Sequence, residues 1–209
     1  MYDDEFELTF DLSDEDEASQ APAPEQEPVQ EAAPEPAAET EPAAETEPPV
    51  EAVPEPAVPA ANGRCVLISG GDRGIGAAAA RAFWQAGYRV AVLYHTHAEA
   101  AAALEKALPG LLAVQCDVAS RASCEVAFHT VEQAVGHVDV LVSNAGIAQQ
   151  KLFTDITPEE WQHMLDVNLS GAFHLCQLAL PGMIRRKAGR ILTVSSMWGQ
   201  TGGSCEVHY

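Results

Sequence analysis

RCVLISGGDRGIGAAAARAFWQAG, residues 64–87, decides the fold. Its first seven residues are a continuous β-rich apolar run, the pattern of a strand buried on both faces. Ile75, Ala79, Ala82, Phe83 and Ala86 then recur at helical spacing, and Gly87 follows as the C′ residue that closes a helix. Between strand and helix lies SGGDRGIG (69–76), with glycines at 70, 74 and 76. The spacing is Gly-x-x-x-Gly-x-Gly rather than Gly-x-Gly-x-x-Gly. Both serve the same needs: a tight turn, close approach of the backbone to a ligand, and a helix held near its sheet. Free N–H groups at the helix start, together with its dipole, favour an anion there. Taken alone, the glycine trio is a weak signal, with a purely structural turn as the lesser alternative.

The same alternation continues along the chain. YRVAVLY (88–94) is a second strand, residues 98–107 an Ala-rich helix and Pro109-Gly110 a turn. LLAVQCD (111–117) is a third strand, residues 120–135 a third helix, and VDVLVSNAG (138–146) a fourth strand entering a loop. Thr157-Pro158-Glu159-Glu160 opens a long helix, with Thr157 as N-cap, Pro158 at the first helical position and Glu160 completing a capping box. That helix is expected to reach Lys187, with Arg185, Arg186 and Lys187 at its negative end and Gly189 ending it. Trp161, Leu165, Leu169, Ala172 and Cys176 mark its apolar stripe, and Asn168 lies on that stripe, where an unpaired amide would cost about 1–3 kcal/mol. RILTVSS (190–196) is a fifth strand. Strict β-α-β alternation predicts a Rossmann-type α/β fold, a doubly wound parallel sheet with helices on both faces.

Composition divides the chain near residues 60–62. Residues 1–60 hold 19 Asp and Glu, no Lys or Arg, and 11 of the 14 prolines; the remainder balances 12 acids against 11 bases. Residues 1–61 therefore read as a disordered acidic Pro/Ala/Glu-rich tail, and 62–209 as the folded domain. The tandem AAETEPAAETEP (37–48) is low-complexity sequence, too short per unit to pack as a repeat. Phe6, Leu8, Phe10 and Leu12 alternate with polar neighbours, as a strand added to a partner's sheet edge would, or as stray apolar residues of a solvated tail. So acidic a segment disfavours nucleic acid and anionic membranes as partners. The first residues do not form a secretory signal, and no run approaches a membrane span. Cysteines 65, 116, 124, 176 and 205 show no CxxC or metal spacing, which points to free thiols in the cytoplasm and to no metal site.

Four stretches in order now carry a resemblance: GxxxGIG at 70–76, Asn144-Ala145-Gly146, Asn168 in DVNLSG, and Ser196 thirteen residues before Tyr209. Over residues 64–209 the chain resembles the short-chain dehydrogenase/reductase family, and within it the bacterial 3-oxoacyl-acyl-carrier-protein reductases. The ending SSMWGQTGGSCEVHY is also similar to a branch named elongation factor P 5-aminopentanone reductases. The place near the end of the second strand where NAD-binding folds carry an acid is occupied by Tyr94 and His95, with no acid before Glu99. Together with Arg73 in the glycine turn, this predicts NADP(H), with Arg73 the main 2′-phosphate partner and His95 and His97 weaker candidates. Gly70, Asp72, Gly74, Ile75 and Gly76 complete the expected phosphate turn. The resemblance implies an adenine contact at Asp117 and Val118, and a loop beside the adenosine at Asn144, Ala145 and Gly146.

It further implies a catalytic set of Asn168, Ser196 and Tyr209. Tyr209 would protonate a carbonyl oxygen as hydride arrives, Ser196 would hydrogen-bond that oxygen, and Asn168 would hold a water in a proton relay. Gln149, Met197 and Trp198 lie where substrate should enter. The expected substrate is a small-molecule or carrier-bound ketone or aldehyde, foremost a 3-oxoacyl thioester, and the rival is a ketone on a modified protein side chain. The family pairs its tyrosine with a lysine four residues later. No such position exists here, so the expectation is a reductase truncated at its active-site tyrosine, with little or no turnover by these 209 residues and a homo-oligomer when complete. A non-catalytic nucleotide-binding protein that recruits a partner through Phe6–Leu12 is the reading from another class.

Overall fold

The computed structural model describes residues 59–209. The acidic tail, its repeat and the Phe6–Leu12 alternation lie outside the described residues. Five strands, β1 (Cys65–Ser69), β2 (Arg89–Tyr94), β3 (Leu112–Gln115), β4 (Val140–Ser143) and β5 (Arg190–Thr193), form one parallel sheet in the order β3-β2-β1-β4-β5. The strands alternate with helices α1 (Gly74–Gln85), α2 (Ala98–Ala107) and α3 (Arg121–Val135), and with a long helical stretch between β4 and β5. The order reverses between β1 and β4, and in open α/β sheets such a switch point opens a crevice beyond the strands' carboxyl ends. The chain therefore folds as the doubly wound Rossmann-type sheet that the alternation predicts.

Side chains alternate through the sheet with period two. Cys65, Leu67, Ala91, Leu93 and Leu141 face α3 and the helix before β5, among Phe128, Val131, Leu175 and Met183. Val66, Ile68, Val90, Val92, Val140 and Val142 face α1 and α2, among Ala80, Trp84 and Leu104. Both faces are covered, which is why β1 and β2 read as unbroken apolar runs. The Trp84 indole N–H finds the Pro109 carbonyl at 3.0 Å, so its burial leaves no donor unpaired.

Helix faces depart from expectation. On α1 the buried residues are Gly76, Ala80 and Trp84, while Ile75 is exposed, as are Ala82 and Ala86. The long helix is built as α4 (Pro158–Leu165), a π-helical turn at Asp166–Ser170, and α5 (Gly171–Arg186). Its buried residues are Met164, Gly171, Leu175, Ala179, Gly182 and Met183, the first three each one position before a residue of the stripe read in sequence. Leu169 and Phe173 point outward. The cause is close packing: a Cβ on Gly171 would stand 2.9 Å from Val118 Cγ2, so the helix turns its small residues inward. The helix end differs too. Lys187, not Gly189, takes the left-handed conformation (φ 54°), and Gly189 is needed because a Cβ there would meet Met183 at 2.4 Å. The start matches expectation: Thr157 and Glu160 form both bonds of the capping box.

The two stripes make opposite forecasts for stability. Leu175→Ala empties a fully buried site and is expected to cost about 2–5 kcal/mol in urea denaturation. Leu169→Ala should stay within about 0.5 kcal/mol of the parent. Equal losses would restore the stripe read from sequence.

Candidate functional site

The local structure begins with Ser69, fully buried at the end of β1. Its Oγ accepts the backbone N–H groups of Asn144 (3.0 Å) and Ala145 (3.1 Å), just past β4. The Asn144 amide answers in the other direction, donating to the carbonyls of Ser69 (3.0 Å) and Gly70 (2.9 Å). These four bonds join the two strand ends at the switch point. Gly70 has φ +62°, and its missing Cβ would stand 3.0 Å from Ala145 Cα. Gly76 passes so close that a Cβ would lie 2.1 Å from the Gly70 carbonyl oxygen. These glycines are steric requirements of the join.

Above the join lies a cavity of about 550 Å³. The glycine turn supplies Gly70, Asp72, Arg73, Gly74 and Ile75; the end of β2 supplies Leu93, Tyr94, His95, Thr96 and His97. Cys116, Asp117 and Val118 follow β3, Asn144–Ile147 follow β4, and His163 and Val167 come from the helical stretch. Of the cofactor residues expected from sequence, Gly76 alone is not on the wall. The wall also holds Leu93, Thr96, Cys116, Ile147, His163 and Val167, and the join beneath it Ser69, none of them expected as site residues. All but His163 adjoin a residue that the sequence does point to.

Helix α1 starts without a side-chain cap: its N-cap is Arg73, extended and making no capping bond. The first-turn N–H groups therefore remain available to an anion from the cavity. No acid follows β2 closely, and the Arg73 guanidinium is exposed beside it. Under Val118 the Cys116 and Cys124 sulfurs lie 4.0 Å apart. Hydrogen bonding with Cys124 and Ser123 pushes the Cys116 thiol down, while the bond with Cys116 and burial push Cys124 up. The free first-turn N–H groups and the Arg73 guanidinium are donors suited to phosphate groups.

Asn168 lies in the π turn, where the Gly171 N–H bonds back to the Asp166 carbonyl. Its Oδ1 accepts the Ile147 N–H (2.8 Å), and its Nδ2 donates to the Ile147 carbonyl (2.9 Å) and to Met164 Sδ (3.1 Å). The amide thus clamps the loop after β4. Ser196, Met197, Trp198 and Tyr209 are not on the cavity wall; they belong to the segment after β5, at the same carboxyl edge of the sheet. Ser196 Oγ accepts the Trp198 N–H (3.2 Å) before the short helix α6 (Trp198–Thr201). Tyr209 is 45% exposed and donates its N–H to the Glu206 carbonyl.

Three contacts tie that segment to the loop at 149–151. The Lys151 N–H donates to the Cys205 carbonyl (2.7 Å), the Gln150 amide to Glu206 (3.3 Å), and His208 Nε2 bonds Gln149 Oε1 (2.8 Å). The Gln149 NH₂ group meanwhile donates to Glu160 (2.9 Å), so both ends of this expected substrate contact are engaged. Its oxygen must accept, which places the His208 hydrogen on Nε2. The Lys151 ammonium, then the Thr157 N–H, then Gln149 hold the Glu160 carboxyl down at about 2. Among the described residues no cluster of His, Cys, Asp and Glu is placed to hold a metal, and no helix is long and apolar enough to cross a membrane.

Fold and switch-point cavity define a doubly wound, Rossmann-type α/β domain. The short chain dehydrogenase family model matches residues 64–209, and the chain belongs to that family. It is 40% identical over 146 residues to an acetoacetyl-CoA reductase of Rhizobium meliloti (strain 1021), covering 70% of this chain and 60% of the relative. An acetoacetyl-CoA reductase of Shinella zoogloeoides is 39% identical over the same shares. The 3-oxoacyl-[acyl-carrier-protein] reductase MabA of Mycobacterium tuberculosis (strain ATCC 25618 / H37Rv) is 37% identical over 155 residues, 74% of this chain and 60% of the relative. The chain thus spans about 60% of the length of these curated relatives.

Ser69→Ala leaves two part-buried N–H groups without an acceptor. It is expected to destabilise the domain by roughly 2 kcal/mol or more in chemical denaturation. A change below about 0.5 kcal/mol would mean that the join does not rest on this hydroxyl.

Proposed function

We propose that the protein is an NADPH-dependent reductase of a ketone, with a 3-oxoacyl thioester as its substrate. The observation that carries the cofactor choice is the charge at one end of the cavity. Arg73 stands there, and the residues that end β2, Tyr94 and His95, bring no carboxylate to meet a ribose 2′-hydroxyl. The guanidinium suits a phosphate, which it can meet with two parallel hydrogen bonds. On this reading the N–H groups at the start of α1 hold the pyrophosphate, and Asp117 and Val118 hold the adenine. When bound, the nicotinamide supplies the hydride.

The chain's own residues supply the rest. Tyr209 gives its phenolic proton to the carbonyl oxygen, and the Ser196 hydroxyl donates to the same oxygen as negative charge develops there. Asn168, by clamping Ile147, keeps the loop beside the site in place. The ketone is left as an alcohol. The substrate class is supported by the relatives, named for acetoacetyl-CoA and for 3-oxoacyl groups on acyl carrier protein. Reduction is proposed for the whole protein, because the chain matches only part of those relatives' length. Self-association belongs to the same reading, and the outward Phe173 and Ile184 of α5 support it.

Titration of the purified protein with NADPH and with NADH, followed by nicotinamide fluorescence, tests this. NADPH is expected to bind more tightly, and Arg73→Ala to weaken NADPH by about tenfold or more while NADH changes little. Tighter binding of NADH, or equal loss of both, would contradict it.

A further inference from the structure

The glycine turn carries an acid where a phosphate has to approach. Asp72 is 9% exposed, and its Oδ2 is buried without a hydrogen-bond partner. A buried carboxylate left alone is costly, and here it would also repel the incoming anion. The group set against it is the His97 imidazole, whose Nδ1 stands 3.7 Å from that oxygen. On the other side of the ring, Nε2 lies 3.0 Å from Arg73 Nη1. A guanidinium has only donors, so Nε2 accepts and the ring hydrogen sits on Nδ1. Around that nitrogen stand the Thr96 hydroxyl at 3.3 Å and Asp72 Oδ2 at 3.7 Å. On the cavity wall the Arg73 guanidinium is thus bonded to the ring, and the ring stands beside the acid.

We infer that His97 determines which ribose 2′ substituent the site accepts, by fixing the Arg73 guanidinium and covering the Asp72 carboxylate. The inference rests on the dinucleotide reading above and deepens it. With the imidazole in place, this end of the cavity presents a guanidinium. Without it, the same turn presents a bare carboxylate, which accepts a hydrogen bond from a 2′-hydroxyl and repels a 2′-phosphate. The acid that NAD-binding folds place at the end of the second strand would then come from the glycine turn. His97 is a positioning residue on this account, and Asp72 is the liability that makes it necessary.

The test uses the 209-residue chain and two probes without a nicotinamide, ADP-ribose and 2′-phospho-ADP-ribose, titrated by calorimetry. The readout is the ratio of the two affinities. In wild type the phosphorylated probe binds more tightly. His97→Leu is expected to lower that ratio by about tenfold or more, through loss of a fixed cation and exposure of an anion. Asp72→Asn added to His97→Leu should recover most of it, since the repelling charge is gone. His97→Gln, whose amide can accept from Arg73 and donate to Asp72, should keep it, and it keeps the measurement decisive where the leucine variant does not fold. The inference is overturned if His97→Leu weakens both probes by one factor, if the double variant fails to recover, or if His97→Gln loses the ratio. A wild-type chain indifferent to the 2′-phosphate overturns the cofactor reading itself, and does so before any variant is made.

Discussion

Two carbonyls, one hydroxyl and one amide hold this site together. A parallel sheet that reverses its winding leaves two strand ends side by side with backbone groups that no further ladder satisfies. Ser69 and Asn144 satisfy them reciprocally, each using its side chain on the other's backbone. The bonds hold the glycine turn against the loop after β4, and that contact requires Gly70 and Gly76 to lack side chains. Everything that lines the cavity is placed relative to this join: the uncapped start of α1, the clamp of Asn168 on Ile147, and the wall that follows β3.

Charge then specialises a scaffold that is sterically defined. The cavity wall is short of simple anions, yet Asp72 is one of them and is nearly buried. It stands within reach of one imidazole, and that imidazole in turn receives the guanidinium best placed to meet a phosphate. A second polar network links the capping box of α4 to the segment bearing Tyr209, through Glu160, Gln149 and His208. Helix initiation and placement of that segment thus share one carboxylate.

Element type was legible in the sequence, because strand runs, helical spacing, Gly87 and the Thr157 capping box act over a few residues each. Helix faces were not. Pattern reading favours large apolar residues, whereas close contact with the sheet and with Val118 selected Gly76, Ala80, Gly171 and Ala179 and left Ile75, Leu169 and Phe173 outside. The π turn had a trace in the sequence, a polar Asn168 on an apolar stripe, but its bond to Ile147 spans 21 positions and depends on the fold. Most of the cavity's glycine turn and loop residues could be named because they fall in short motifs. Ser69 in its bonds to Asn144 and His97 in its pairing with Asp72 could not, since each acts through a neighbour distant in sequence. Lys187 in the left-handed position also runs against local preference, and Gly189 misled because its smallness serves Met183 rather than the helix end.

The central claim is that this join shapes a dinucleotide site, and amide hydrogen exchange with and without NADPH tests it most directly. Added protection is expected at residues 70–76, 95–97, 117–118 and 144–147, four stretches separate in sequence that meet only at the switch point. Protection confined to other segments, or none at saturating NADPH, would contradict the account.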